Sequence, residues 1–243
     1  MDSAVAWLIC ILAAVIPTTL YVLILWWFDH YEKEPRRLLF VAFVWGAVPA
    51  IIISVLAENV LGHPLAALGE VTAELMSSSL LAPVIEEAIK SLAVFLLFLF
   101  FHQEFDDVLD GIIYGATIGF GFAMTENAFY FRSSLAAAGL KGLTFTIFFR
   151  ALVFGLNHAL FTSIFGAALG YARTAKKGHW RWAVPLVGLF GAIALHGVHN
   201  LFAALAHITC FSLLFSLTSD WSGVLVILAV IVLAWQQEKR WIT

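Results

Sequence analysis

The 243-residue chain is 62% hydrophobic and 12% charged, with a formal net charge of -3 at pH 7 and a mean hydropathy of +0.96. Soluble domains carry about a quarter charged residues, so this composition excludes an ordinary soluble fold and indicates a polytopic membrane protein. The weak, dispersed charge provides no basic face or arm to hold phosphates, which argues against nucleic acid as a partner. Two cysteines, Cys10 and Cys210, are too few for a disulfide framework and lack metal-ligand spacing.

A membrane span needs about 20 predominantly apolar residues. That window predicts an all-α bundle of seven spans: Val5–Phe28, Leu38–Ala57, Leu80–Phe101, Gly111–Phe131, Phe148–Tyr171, Ala183–His207 and Trp221–Trp235. The first apolar run follows an acidic lead-in and is too long for a signal-peptide core, so it is expected to stay attached as a span. Over residues 65–81, Glu70 and Glu74 argue against a span, and an interfacial or re-entrant helix is expected there. Trp221 and Trp235 flank the last span as interfacial anchors. No internal repeat or linker is visible, so residues 1–243 read as one domain.

Basic side chains orient the bundle. Lys33, Arg36 and Arg37, then Arg173, Lys176, Lys177 and Arg181, then Lys239 and Arg240 fall on one side, against Arg132 and Lys141 on the other. The N-terminus is therefore expected outside and the C-terminus in the cytoplasm.

Ionisable side chains inside these spans carry the chemical signal, because a charge near the centre of a membrane helix costs roughly 2.5–3.5 kcal/mol. Glu86 and Glu87 sit in LLAPVIEEAIKSLAVFLLFLFF, with Lys90 at i,i+4 and i,i+3, so the ammonium reaches either carboxylate. One pair neutralises and one carboxylate remains, an arrangement suited to general acid–base work. Glu126, Asn127, His158, His196, His199 and Asn200 also lie in apolar segments. With the orientation above, the Glu86, Glu126, His158 and His196/His199 positions fall 5 to 11 residues from the outer ends of their spans, about 8–16 Å deep at 1.5 Å per residue. Four helices thus place polar groups at one depth, which describes a shared site better than a path.

Each feature also has a plainer explanation. Lys90 with one glutamate makes a structural ion pair, Glu126 and Asn127 make interhelical hydrogen bonds, and a single His158 is a satisfied core histidine. His196 and Asn200 are harder to explain so, since they share a helix face and both offer donors to a developing oxyanion. His30, His63, His102, His179 and His207 fall in loops or at a span end, and Arg150 is expected to snorkel to the outer interface.

Four blocks together resemble the PrsW-type intramembrane proteases, relatives of the CAAX-processing and bacteriocin-immunity membrane proteases. They are DHYEKEPRRLL at Asp29–Leu39, PVIEEAIK at Pro83–Lys90, DGIIYGATIGFGFAMTENAFYF at Asp110–Phe131, and NHALFT at Asn157–Thr162 with LHGVHN at Leu195–Asn200. The resemblance implies an endopeptidase of the cell membrane acting on a membrane-anchored protein, with site-1-type cleavage of an anti-sigma factor as the inherited substrate class. By position it makes Glu86 the base, Glu87 and Lys90 its support, and His196 and Asn200 the oxyanion donors. Where CAAX-type relatives have a histidine, the second motif here ends in Glu126, so the partner of Glu86 is either Glu126 or His158. Glutamate catalysis without a cofactor is the first expectation. Zinc held by Glu86, Glu126, His158 and His196 or His199 is the alternative, although no HExxH motif is present. A proton-coupled transporter and a non-catalytic scaffold are the competing classes.

Overall fold

The computed structural model describes residues 2–29, 33–175, 178 and 180–242. His30, His179, Lys176 and Lys177 lie outside the described residues, as do the side chains of His207, Lys239 and Arg240. The described chain is helical nearly throughout. Helix α1 spans Ser3–Phe28, α2 Arg36–Trp45, α3 Ile51–Gly62, α4 Glu70–Met76, α5 Ala82–Phe100, α6 Val108–Ile147, α7 Asn157–Thr174, α8 Trp180–Ala204 and α9 Cys210–Ile242. Five helical runs are long and apolar enough to cross a membrane: Ser3–Phe28, Arg36–Leu68, Val108–Thr174, Ala183–Ala204 and Phe211–Gln236. The run Val108–Thr174 contains two of the seven expected spans. The expected span Leu80–Phe101 is helical too, but Glu86, Glu87 and Lys90 keep it out of the purely apolar set.

Helix α6 is the centre of the bundle. Gly111, Gly115 and Gly119 recur every fourth residue along one of its faces, and α7 packs antiparallel on this row at Gly166, Thr162 and His158. A Cβ added at these glycines would lie 2.0, 2.7 and 2.3 Å from backbone oxygens of α7. Only bare glycine permits so close an approach, the usual device where lipid supplies no hydrophobic drive for helix association. On another face, Gly121 meets the Phe43 carbonyl of α2, and Gly46 meets that of Ile118. These contacts fix the height of His158 against α6.

Three expectations are modified. Phe148–Tyr171 is not one helix: a π-helical turn over Phe148–Val153 and a break precede α7 at Asn157. The expected outer loop after Phe131 is helix instead, because SSLAAAGLKGL is rich in strong helix formers. Its reversal comes at Gly139, whose φ of 65° suits a residue without Cβ, and the returning segment lies alongside, with Thr146 Oγ1 2.7 Å from Ser134 Oγ. The helix expected over 65–81 is present as a 3₁₀ turn, α4 and a π-helical turn, with no buried residue in any of them, and it runs straight into α5. The terminal tryptophans do more than anchor. Trp221 donates to the Val153 carbonyl at 3.2 Å and Trp235 to that of Phe28 at 2.8 Å, tying α9 to the π turn before α7 and to the end of α1.

Candidate active site

At the end of the bundle where α3, α6 and α8 terminate, a cavity of about 890 Å³ opens between α3, α5, α6, α7 and α8. Two π-helical turns, Ser77–Leu81 and Phe148–Val153, contribute Ser77, Ser78, Phe149 and Arg150 to its wall. A π turn widens the helix and re-aims side chains, and such turns are frequent at functional sites.

The base of the cavity is a charged network. Lys90 is fully buried; its ammonium lies 2.5 Å from Glu87 Oε1, 3.5 Å from Glu86 Oε2, 3.3 Å from His158 Nδ1 and 4.3 Å over the Phe122 ring. Glu87, also fully buried, accepts from Lys90 and from His196 Nδ1 at 2.9 Å on one oxygen, and from Thr162 Oγ1 at 3.1 Å on the other. Its bonding is complete, so it holds its neighbours and is not free to react. Glu86 differs. Its Oε2 is buried without a hydrogen bond and stands 3.9 Å from His196 Nε2. At that length the two groups do not hydrogen-bond directly, and Glu86 lines the cavity wall.

The rim is built around Glu126. His158 Nε2 lies 2.9 Å from Glu126 Oε2, Arg150 pairs with the same oxygen, and Arg150 Nε donates to Asn127 Oδ1 at 2.9 Å. Arg150 therefore does not snorkel to the interface as expected. It turns inward, its guanidinium 3.7 Å from the Tyr130 ring centroid, because the opposing carboxylate and the π turn draw it there. The residues expected from sequence converge: Glu86, Glu87, Lys90, His158 and His196 meet directly, and Glu126 joins through His158. Of the two partners proposed for Glu86, neither bonds it; His196 and Lys90 stand nearest. Asn200 lines the cavity with one amide N–H given to the Ser78 carbonyl at 2.9 Å.

His199 belongs to a separate group that the sequence patterns missed. Asp220, Ser216 and Asn157 surround it, with Asp220 Oδ2 at 2.6 Å and Ser216 Oγ at 2.8 Å from its Nδ1. The available signal was Asp220 itself, an acidic residue next to an expected span. Taking Trp221 as the span start put it outside, whereas α9 begins eleven residues earlier at Cys210.

The donor types suit zinc, with one change from the expected set: ligand atoms of Glu86, His158, His196 and, in place of Glu126, Glu87 all lie within 4.8 Å of one another. The arrangement does not. The Lys90 ammonium already sits among these acceptors, and Glu87 and His158 are committed to it. Two donor atoms, Glu86 Oε2 and His196 Nε2, stay uncommitted, one fewer than the three protein ligands a catalytic zinc keeps.

A buried network of carboxylates, imidazoles and an ammonium, facing a cavity inside a polytopic helix bundle, is the construction of an intramembrane hydrolase. Residues 34–236 match the family described as "PrsW family intramembrane metalloprotease", and the chain belongs to that family. It is 31% identical to "Protease PrsW" of Bacillus subtilis (strain 168) over 202 residues, covering 80% of this chain and 83% of the relative. It is 34% identical to the "Protease PrsW" of Geobacillus kaustophilus over 174 residues (71% and 69%), and 28% identical to that of Clostridioides difficile over 207 residues (84% and 78%). No solved structure matches. The chain is thus a multi-pass peptidase of the cell membrane.

Proposed function

We propose that the chain cuts a peptide bond of a membrane-anchored protein near the extracytoplasmic face, with Glu86 as the base that activates water. The carrying observation is Glu86 in the cavity wall, its Oε2 paired with Lys90 at 3.5 Å but without a hydrogen bond and 3.9 Å from His196 Nε2. Water held by Glu86 and His196 loses a proton to Glu86 as its oxygen attacks the scissile carbonyl carbon. Glu87 fixes the His196 ring through Nδ1, the same orienting role that a carboxylate plays toward a catalytic imidazole elsewhere. Lys90 offsets the charge of the two glutamates. The second amide hydrogen of Asn200 and the Arg150 guanidinium are the donors available to a developing oxyanion. Glu126 holds His158 and Arg150 in place.

The site's depth supports a cut near the outer surface of a single-span protein, and an anti-sigma factor is one such substrate. A second reading keeps the same residues around zinc. The four donor atoms within 4.8 Å favour it, and it requires Lys90 to withdraw. Both are tested with purified protein and Glu86→Gln, incubated with a library of single-span substrates while bound metal is measured. Glu86→Gln cleaving at the parent rate sinks the glutamate mechanism. Stoichiometric zinc together with chelator-sensitive cleavage moves the assignment to the second reading.

A further inference from the structure

His199, which lines the same cavity, forms a second carboxylate–imidazole pair with the buried Asp220. Asp220 on α9 is 1% exposed, and its Oδ2 accepts from Asn157 Nδ2 at 3.0 Å and Ser216 Oγ at 3.3 Å while lying 2.6 Å from His199 Nδ1. Among the described residues, no lysine or arginine forms a salt bridge with it. An aspartate so placed holds an imidazole in one tautomer, with hydrogen on Nδ1 and Nε2 directed away. His199 is held from the sides as well, edge-on to Phe154 at 5.0 Å and tilted against Phe161 at 6.1 Å between ring centroids. Phe161 in turn stacks on His196 at 4.7 Å, so one aromatic ring separates the two imidazoles of α8.

Peptide hydrolysis needs a proton for the departing nitrogen as well as a base for water, since an amine leaves poorly as an anion. Three histidines line this site, and two are already engaged. His158 faces Lys90 through Nδ1 and Glu126 through Nε2. His196 is oriented by Glu87 through Nδ1, and its Nε2, 3.9 Å from Glu86 Oε2, is given to the attacking water. His199 is the third: its Nε2 lies no closer to a polar partner than 3.5 Å, from Asn157 Nδ2.

We infer that His199, positioned by Asp220, protonates the amine leaving group. This rests on Glu86 acting as the base. Glu86 takes a proton from water as the new C–O bond forms and passes it through cavity water to His199 Nε2; the C–N bond then breaks as its nitrogen takes that proton from Nε2. Glu86 is again a carboxylate and His199 again carries hydrogen on Nδ1 alone, which restores both groups. His199 is the catalytic residue here and Asp220 a positioning one.

The test uses a synthetic single-span peptide that the parent protein cuts, and its counterpart with an ester oxygen in place of the scissile amide nitrogen. An alkoxide departs with far less help than an amide anion. His199→Gln is expected to slow amide cleavage by about 10²-fold, at the low end of general acid–base effects, while ester cleavage changes by less than about threefold. Asp220→Asn shows the same split with a smaller amide loss. Either variant suffices if it keeps the parent melting temperature. Equal losses on both substrates, or undiminished amide cleavage, overturn the assignment. Glu86→Gln should abolish cleavage of both; if it spares both, the base assignment itself has failed, a pattern that no outcome with His199 mimics.

Discussion

Two clusters of carboxylates lie along α6, one at its start and one near its middle, and they are finished in opposite ways. Asp110 and Glu126 are 16 residues apart (126 − 110), about 24 Å along the helix axis. At the Asp110 end the acids are satisfied. Asp107 caps the helix through Leu109 and Asp110 N–H groups, Asp110 returns the bond to the Asp106 and Asp107 backbone, Glu34 takes the Tyr114 hydroxyl, and Asp29 takes the Glu34 N–H at 2.7 Å. Around Glu126, two cations and two imidazoles compensate three glutamates, a cavity adjoins them, and Glu86 Oε2 is left without a hydrogen bond. Burial of acids does not by itself make a site. What separates the two clusters is a glutamate left without a hydrogen bond on one oxygen and lining a cavity.

Breaking the reactive cluster should give the largest effects. Glu86→Gln removes the base but keeps the shape, so cleavage should fall by about 10²–10⁴-fold with the melting temperature nearly unchanged. Lys90→Met does the reverse. It leaves Glu87 and Glu86 buried without their cation and should cost about 3–5 kcal/mol of stability, read from unfolding in detergent. Retained stability in Lys90→Met would mean that the glutamates do not share a charge with it.

Packing comes next in size. Gly119→Ala would place a methyl carbon 2.3 Å from the His158 carbonyl oxygen, so α6 and α7 must part. Overpacking of this kind costs typically about 1–3 kcal/mol. Because the displaced residue is His158, which bridges Lys90 and Glu126, activity should fall further than the stability loss alone explains. A matched Gly111→Ala variant supplies the control: the same contact is tighter there, 2.0 Å from the Gly166 oxygen, yet lies remote from the site. Equal activity losses in the two variants would show that His158 needs no fine placement.

The helical bundle and most of the site residues were legible because a bilayer leaves so few options. Spans must be long and apolar, so Glu86, Glu87, Lys90, Glu126, His158 and His196 stood out against their surroundings and had to find one another. Less legible was anything set by local backbone departures. The π turn at Phe148–Val153 and the break after it turn Arg150 toward Glu126, and no composition cue marks either. Asp220 escaped because SLTSDWSGV looks like the polar approach to a span when it is the interior of α9. Asn157 read as part of a histidine motif, yet its amide serves Asp220 across the bundle. Partner identity depends on helix rotation, which hydropathy does not encode.

The smallest effect on cleavage belongs to the satisfied cluster, and the sign of its pH dependence distinguishes it from the site. Glu34 precedes α2, outside the membrane-crossing runs; burial, followed by the hydrogen bond with Asp110 and the charge of Asp110, pushes its pKa from 4.5 up to about 10. The folded chain therefore keeps a proton that the unfolded chain releases. This stabilisation is full below about pH 4.5, declines as pH rises, and is gone above about pH 10. Glu34→Gln has a neutral side chain of the same shape, able to donate to Asp110 and accept from Tyr114. Its melting temperature should match the parent's near pH 5 and fall less between about pH 6 and 9, with peptide cleavage at pH 7 within about twofold, because the Glu126 cluster lies about 24 Å along α6 from Asp110. A parallel decline in parent and variant would show that Glu34 is ionised in the fold, and the contrast between the two clusters along α6 would then lie in solvent access alone.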